Sequence, residues 1–179
     1  MWNGASMERS RSPLKAVCDA GPIIHLDEIE VLYLIEDFQE ILLCPTVINE
    51  VQTKRSNLFA KINPPFVVLP HAFATDQTLI AMCRALSLDT GESEALALME
   101  RDPAAIFLTD DSAARMVAER MGYKVHGTIG ILLRSIRRNQ LNPKEVLGLL
   151  DRLPLKCSLF VKLSLLDEIK LRVKDESHS

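Results

Sequence analysis

Aromatic side chains are scarce, with six Phe, two Tyr and one Trp in 179 residues. Proteins that grip single strands by stacking their bases use rows of such rings. Any recognition of RNA by this chain is therefore expected to rest on backbone and shape. No charge sign dominates, since 21 Lys and Arg stand against 24 Asp and Glu, a net charge of −3. A basic coat over the whole surface is excluded, and a polyanion would need a local patch. No apolar run reaches the ~18 residues of a membrane span. The opening stretch MWNGASMERSRSPLK is basic but has no apolar segment, so no secretory signal is expected. Cys18, Cys44, Cys83 and Cys157 form no C-x-x-C pair, and each has apolar neighbours. That argues against a zinc site and a disulfide framework, and for small core residues in a reducing cytoplasm. There is no G-x-G-x-x-G and no P-loop, which argues against dinucleotide or nucleoside-triphosphate chemistry.

What the chain does have is material for a core: 47% is hydrophobic and 25% charged. The length suits one domain. Residues 1–14 are expected to be a flexible tail, 15–174 the domain, and 175–179 a frayed end. Strands are expected at Lys15–Cys18, Glu40–Cys44, Phe66–Leu69, Ala105–Leu108 and Tyr123–His126. Helical patterns lie between and after them, at 23–26, 29–38, 45–55, 57–62, 76–86, 89–101, 112–121, 128–139, 143–153 and 164–173. Ala20-Gly21-Pro22 reads as a turn after the first strand, and Gly122 as a helix stop. Strands that are near-continuous apolar runs imply a sheet covered on both faces. The fold class is thus α/β, a single three-layer α/β/α domain with a mostly parallel central sheet of about five strands.

In such sheets ligands bind beyond the carboxyl ends of the strands. Acids stand at those positions. Asp19 follows the first strand, and Asp110 and Asp111 follow the fourth. Glu50 lies about one and a half turns into the helix after the second strand. Glu92 opens its helix on the face of Ala95, Leu96 and Met99, where an unpaired charge is costly. Each acid has an ordinary explanation as well. Asp19 suits a turn, Asp110 or Asp111 a helix N-cap, Glu92 a helix dipole, and Glu50 the surface. Acids converging on one edge repel unless a cation neutralises them, and oxygen-only ligands suit Mg²⁺ or Mn²⁺.

The acids stand in a recognisable order of motifs. These are Val17-Cys-Asp-Ala-Gly-Pro-Ile-Ile, Pro45-Thr-Val-Ile-Asn-Glu-Val, Leu88-Asp-Thr-Gly-Glu-Ser-Glu-Ala-Leu-Ala-Leu, Leu108-Thr-Asp-Asp with Arg115 four positions on, and Gly127-Thr-Ile-Gly130-Ile-Leu-Leu. In them the chain resembles PIN domains (PilT N-terminal domains), in particular toxin-like prokaryotic members, over about residues 15–172. The resemblance implies a metal-dependent endoribonuclease that hydrolyses RNA phosphodiesters, the toxin of a toxin–antitoxin pair, with a small antitoxin protein as partner. It implies Mg²⁺ or Mn²⁺ on Asp19, Glu92 and Asp110 or Asp111, with Glu50 completing the site and Arg115 and Thr109 toward the substrate. Two choices stay open, Glu92 against Glu94 and Asp110 against Asp111. After Asp19 the chain has Ala20-Gly21 where many relatives carry a hydroxyl, which implies weaker support of the metal.

Other features have competing readings. Arg134, Arg137 and Arg138 suit phosphate contacts, or more simply a solvated helix end. Arg115 can fork to a phosphate or pair with Asp111. His25, His71 and His126 are isolated and read as packing residues. The segment Ile29–Ile35 suits a homodimer seam or the core equally. A catalytically silent PIN-like binding module is the rival function. A phospho-acceptor receiver ranks last, because it needs an acidic pair after the first strand and a Lys after the last.

Overall fold

The structure, a computed structural model, describes residues 14–61, 65–103 and 105–176. The expected tail at 1–14, Leu14 aside, lies outside the described residues, as do residue 62 of the 57–62 helix and residues 177–179 of the expected frayed end. Five strands form one sheet: β1 (Lys15–Cys18), β2 (Glu40–Leu43), β3 (Phe66–Val68), β4 (Ile106–Leu108) and β5 (Lys124–His126). Their order is β3-β2-β1-β4-β5, and every neighbouring pair is parallel. Ala16, Val17, Ile41, Leu43, Phe107 and Leu108 are buried, as expected of strands covered on both faces. The helices among the described residues are α1 (Ala20–Glu28), α2 (Pro45–Lys54), α3 (Leu58–Lys61), α4 (Gln77–Ala85), α5 (Thr90–Arg101), α6 (Ser112–Arg120), α7 (Thr128–Arg137), α8 (Pro143–Lys156) and α9 (Leu163–Glu176). Together they make the three-layer α/β/α arrangement. None of them is long and apolar enough to cross a membrane.

The chain builds outward from β1 to β3 and then returns to lay β4 on the other side of β1. The strand order therefore reverses between β1 and β4, whose register pairs Cys18 with Leu108. Connections leave that point in opposite directions and open a crevice at the carboxyl edge. Asp19 and residues 109–111 stand there, one step past paired residues.

Local chemistry explains most element ends. Pro45 and Pro143 sit in the first turns of α2 and α8, where no N–H is needed. Asn142 and Glu145 form a reciprocal capping box. Gly122, at φ 80°, closes α6 in a left-handed conformation that favours glycine.

Four expectations need correction. Ala20-Gly21-Pro22 is not a turn but the first turn of α1, because a proline there forfeits no hydrogen bond. Residues 29–38 hold only a short 3-10 turn at Leu32–Ile35, since Glu30 at φ 62° breaks the helical path. Ile29, Leu32 and Ile35 are nevertheless buried, so this segment is core rather than a homodimer seam. Of the three arginines at the end of α7, Arg137 is exposed as expected, but Arg134 and Arg138 are paired rather than solvated. Arg134 is buried, donates to both oxygens of Asp37 at 2.6 and 2.7 Å, and lies over the Phe38 ring at 4.5 Å. Arg138 Nε reaches the same carboxylate at 2.9 Å. Finally, α9 runs on through Glu176, past the expected start of the frayed end.

Candidate functional site

The residues at the crevice line a cleft of about 720 Å³. Its wall brings together Asp19 from the β1 edge, Glu50 from α2, Asp89 and Glu92 from the start of α5, and Asp110 and Asp111 from the β4 edge. Glu28 adds a seventh carboxyl, against which, among the described residues, stand the cations Lys54 and Arg55. The chain from 19 to 111 is thus folded so that like charges face one another across open space.

Asp19 is the centre of this arrangement. Its backbone N–H donates to the Leu108 carbonyl at 2.9 Å, which locks it to the β4 edge. It occupies the N-cap position of α1, yet its side chain caps nothing. Thr109 Oγ1 donates to its Oδ2 at 3.2 Å. The residue is only 7% exposed. Burial pushes its carboxyl up to about 7; the Ala20 backbone N–H opposes that, while Glu92, Glu50 and Asp89 reinforce it by repulsion. Glu92 is raised too, chiefly by burial and further by Asp89, Asp111 and Glu50.

The structure places the members of the two open choices differently. Glu92 stands in the cleft, where it also closes a capping box: Asp89 N–H donates to Glu92 Oε2 at 2.9 Å, and Glu92 N–H to Asp89 Oδ1 at 2.8 Å. Glu94, two residues on, is buried on another side of α5 against His71 Nδ1 at 2.5 Å, and is absent from the cleft wall. Asp110 and Asp111 both reach the cleft, but with unlike freedom. Asp110 takes Thr128 N–H at 2.7 Å on Oδ1, and Thr128 Oγ1–H at 2.6 Å and His25 Nδ1 at 2.7 Å on Oδ2. Asp111 caps α6 through Oδ1 alone, accepting from Ala113 and Ala114 N–H at 2.8 Å. Its other oxygen is outside those bonds, so Asp111 is the freer donor.

Two residues expected to meet the substrate do other work. Thr109 is fully buried, and its hydroxyl ties Asp19 to the Asp111 backbone N–H at 3.2 Å. It positions the acids. Arg115 is not on the cleft wall; Nη2 donates to the Thr109 carbonyl at 3.2 Å, and Nη1 lies 3.7 Å from Glu119 rather than on Asp111. Gly127 lets these layers close up, because a Cβ there would meet Asp110 Oδ1 at 2.5 Å and Arg115 Nη2 at 3.0 Å. Glu50 lies in the cleft but is half answered by Lys54 Nζ at 2.7 Å.

The donor set suits a hard divalent cation: oxygens only, with one carboxyl held near neutrality chiefly by burial and further by its acidic neighbours. Among the described residues, however, no three acidic, histidine or cysteine side chains are gathered closely enough to hold an ion as they stand. A hydrated Mg²⁺ keeps several waters and needs one or two direct carboxylates. Asp19, with Glu92 or Asp111, fits that smaller demand.

Sequence reasoning missed His25, which reads as packing yet clamps Asp110, and Thr128, which does the same from α7. His25 lies within α1 with nothing in its spacing to mark it. The Gly127-Thr128 motif was a usable signal, since a hydroxyl at a helix start needs an acceptor. A family model described as a PIN domain matches residues 15–175. No curated protein matches the chain.

Proposed function

The chain belongs to the PIN-domain family, whose members are generally nucleases, and on that footing we propose that it is a Mg²⁺- or Mn²⁺-dependent endoribonuclease acting as the toxin of a toxin–antitoxin pair. The observation that supports it is the convergence of Asp19, Glu50, Glu92 and Asp111, from four separate elements, on one cleft in which Asp19 keeps its proton to about pH 7. Such a cleft lowers its own free energy by taking up a divalent cation. The bound ion would supply charge neutralisation for a phosphodiester and a more acidic water.

The residues divide the remaining work. Asp19, Glu92 and Asp111 would hold the ion. Thr109 fixes the separation of Asp19 and Asp111 through its two hydrogen bonds. Asp110, fully engaged by Thr128 and His25, keeps α7 and α1 against the β4 edge. Glu50, when released from Lys54, is the carboxylate able to accept a proton from water near the phosphate. A small antitoxin would cover this cleft.

Cleavage of a fluorogenic RNA across a Mg²⁺ titration tests the reading. Wild type should show metal-dependent cleavage, and Asp19→Asn should lose it by roughly two orders of magnitude or more. Equal, metal-independent signals from both would remove the nuclease. A second reading, a catalytically silent PIN fold that binds nucleic acid or protein, draws support from the Lys54–Glu50 pair and from carboxylates not gathered for an ion. It predicts RNA or protein binding that Asp19→Asn leaves intact.

A further inference from the structure

We infer that the exposed ring of Phe160 is a stacking platform for a nucleobase of the substrate, one base resting on Phe160 while the neighbouring phosphodiester lies over the carboxylates. The inference rests on the nuclease reading and names a residue that positions its substrate.

Position carries the argument first. Ser158, Leu159 and Phe160 form part of the same cleft wall as Asp19, Glu92 and Asp111. Apart from the His25 imidazole, already engaged by Asp110, Phe160 supplies the aromatic ring of that wall. Exposure comes next. Phe160 is 87% exposed, whereas Phe38 and Phe107 are buried and Phe59 packs edge-on against Phe66 at 5.5 Å. Phe73 is also exposed but lines a different cavity, beside Cys83 and Glu94. Among the described residues the Phe160 ring is left largely uncovered, although both its faces are apolar.

The segment that carries the ring is anchored on its N-terminal side. Residues 157–162 link α8 to α9, and they are pinned to α1 just before Phe160. Cys157 Sγ reaches the His25 carbonyl at 3.8 Å, and Ser158 donates to Glu28 Oε2 from N–H at 2.6 Å and from Oγ at 2.9 Å. Arg55 backs Glu28 at 3.5 Å. On the far side, Leu166 and Val173 bury α9 in the core. An anchored segment lowers the ordering cost when a base lands on the ring it carries. Bases within a duplex have their faces covered, so only an unpaired base can use it, and every base offers such a face. Lys54 and Arg55 stand on the same wall, paired with Glu50 and with Asp27 and Glu28.

A rival lies on the same hairpin. Leu155, Leu163, Leu165 and Leu171 are exposed as well, and a protein partner could cover that strip. None of these leucines is on the cleft wall, which separates Phe160 from them.

The test measures KM and kcat with Mg²⁺ for a short fluorescent single-stranded RNA, its blunt duplex, and the same strand carrying an abasic site. Wild type, Phe160→Ala, Phe160→Trp and Leu155→Ala are compared, with gel filtration for mass. Wild type should prefer the single strand. Phe160→Ala should raise its KM roughly 5- to 150-fold with kcat nearly unchanged, Phe160→Trp should restore it, and Leu155→Ala should match wild type. On the abasic strand, wild type and Phe160→Ala should converge. An unchanged KM in Phe160→Ala, while wild type cleaves, would overturn this inference alone. Equal losses in Phe160→Ala and Leu155→Ala, with a change of mass, would make the hairpin a protein-docking surface instead. If wild type cleaves no RNA at any Mg²⁺ concentration, the nuclease reading falls and this inference with it.

Discussion

A carboxyl that keeps its proton to about pH 7 is a poor anion until a cation arrives, and Asp19 is such a group. Its value is raised on folding, from 3.8 to about 7, so the folded state binds that proton more tightly than the unfolded chain does. The stability linked to it is full below 3.8 and is lost as pH rises through about 7. Melting curves without divalent ions should therefore fall over this window, and those of Asp19→Asn should be flatter. A cation competes with the same proton, so the rise in melting temperature on adding Mn²⁺ should grow as pH passes 7. Thr109 offers a second test at this scale. Thr109→Val keeps the shape but removes both hydrogen bonds that tie Asp19 to Asp111. Mn²⁺ affinity, measured calorimetrically, should weaken about 10-fold or more while the fold persists. Neither role of Thr109 is legible in sequence, where a hydroxyl at a sheet edge looks like a substrate contact. Only its complete burial shows that it faces inward.

Helix α7 shows how an element can be read correctly and its side chains misread. Its existence follows from the apolar spacing of Ile131, Leu132 and their neighbours, and its start from Gly127-Thr128. The arginines near its end look solvated because cations commonly finish helices. In the folded chain Arg134 and Arg138 meet Asp37, which lies beyond the 3-10 turn, and Arg134 stacks on Phe38. Nothing local in the sequence marks a contact across 97 residues. Arg134→Ala would leave Asp37 with Arg138 alone and a gap over Phe38. Urea unfolding should record a loss of about 3–5 kcal/mol, as for other broken buried pairs. Arg134→Lys should recover only part of it, since an ammonium cannot present a guanidinium's planar fork or stack as well. A similar limit applied to residues 29–38, where apolar spacing predicted burial correctly but the helix wrongly, because a 3-10 turn buries much the same positions.

For the molecule as a whole, charge placement matters more than charge total. A net of −3 is unremarkable, yet seven carboxyls line one cleft against two cations. That field repels phosphates, so RNA binding should depend on divalent ions. Fluorescence anisotropy in EDTA should show single-stranded RNA binding about ten-fold weaker, or worse, than with Mg²⁺; full binding in EDTA would point to a basic surface elsewhere. The α/β class, the five strands and the acids at strand ends were legible in the sequence, because apolar runs and helical periods are local properties that a buried parallel sheet demands. The resemblance in motif order carried that as far as the family. Glu92 over Glu94 was also favoured by its place on the helical wheel. What tertiary structure alone decided was which oxygens remain free: Asp110 is taken by His25 and Thr128, Asp111 keeps one oxygen clear of its cap, and Glu50 shares itself with Lys54. Those partners come from remote or separately oriented elements, and a hydrogen bond is fixed by angles and distances in space that no spacing along the chain encodes.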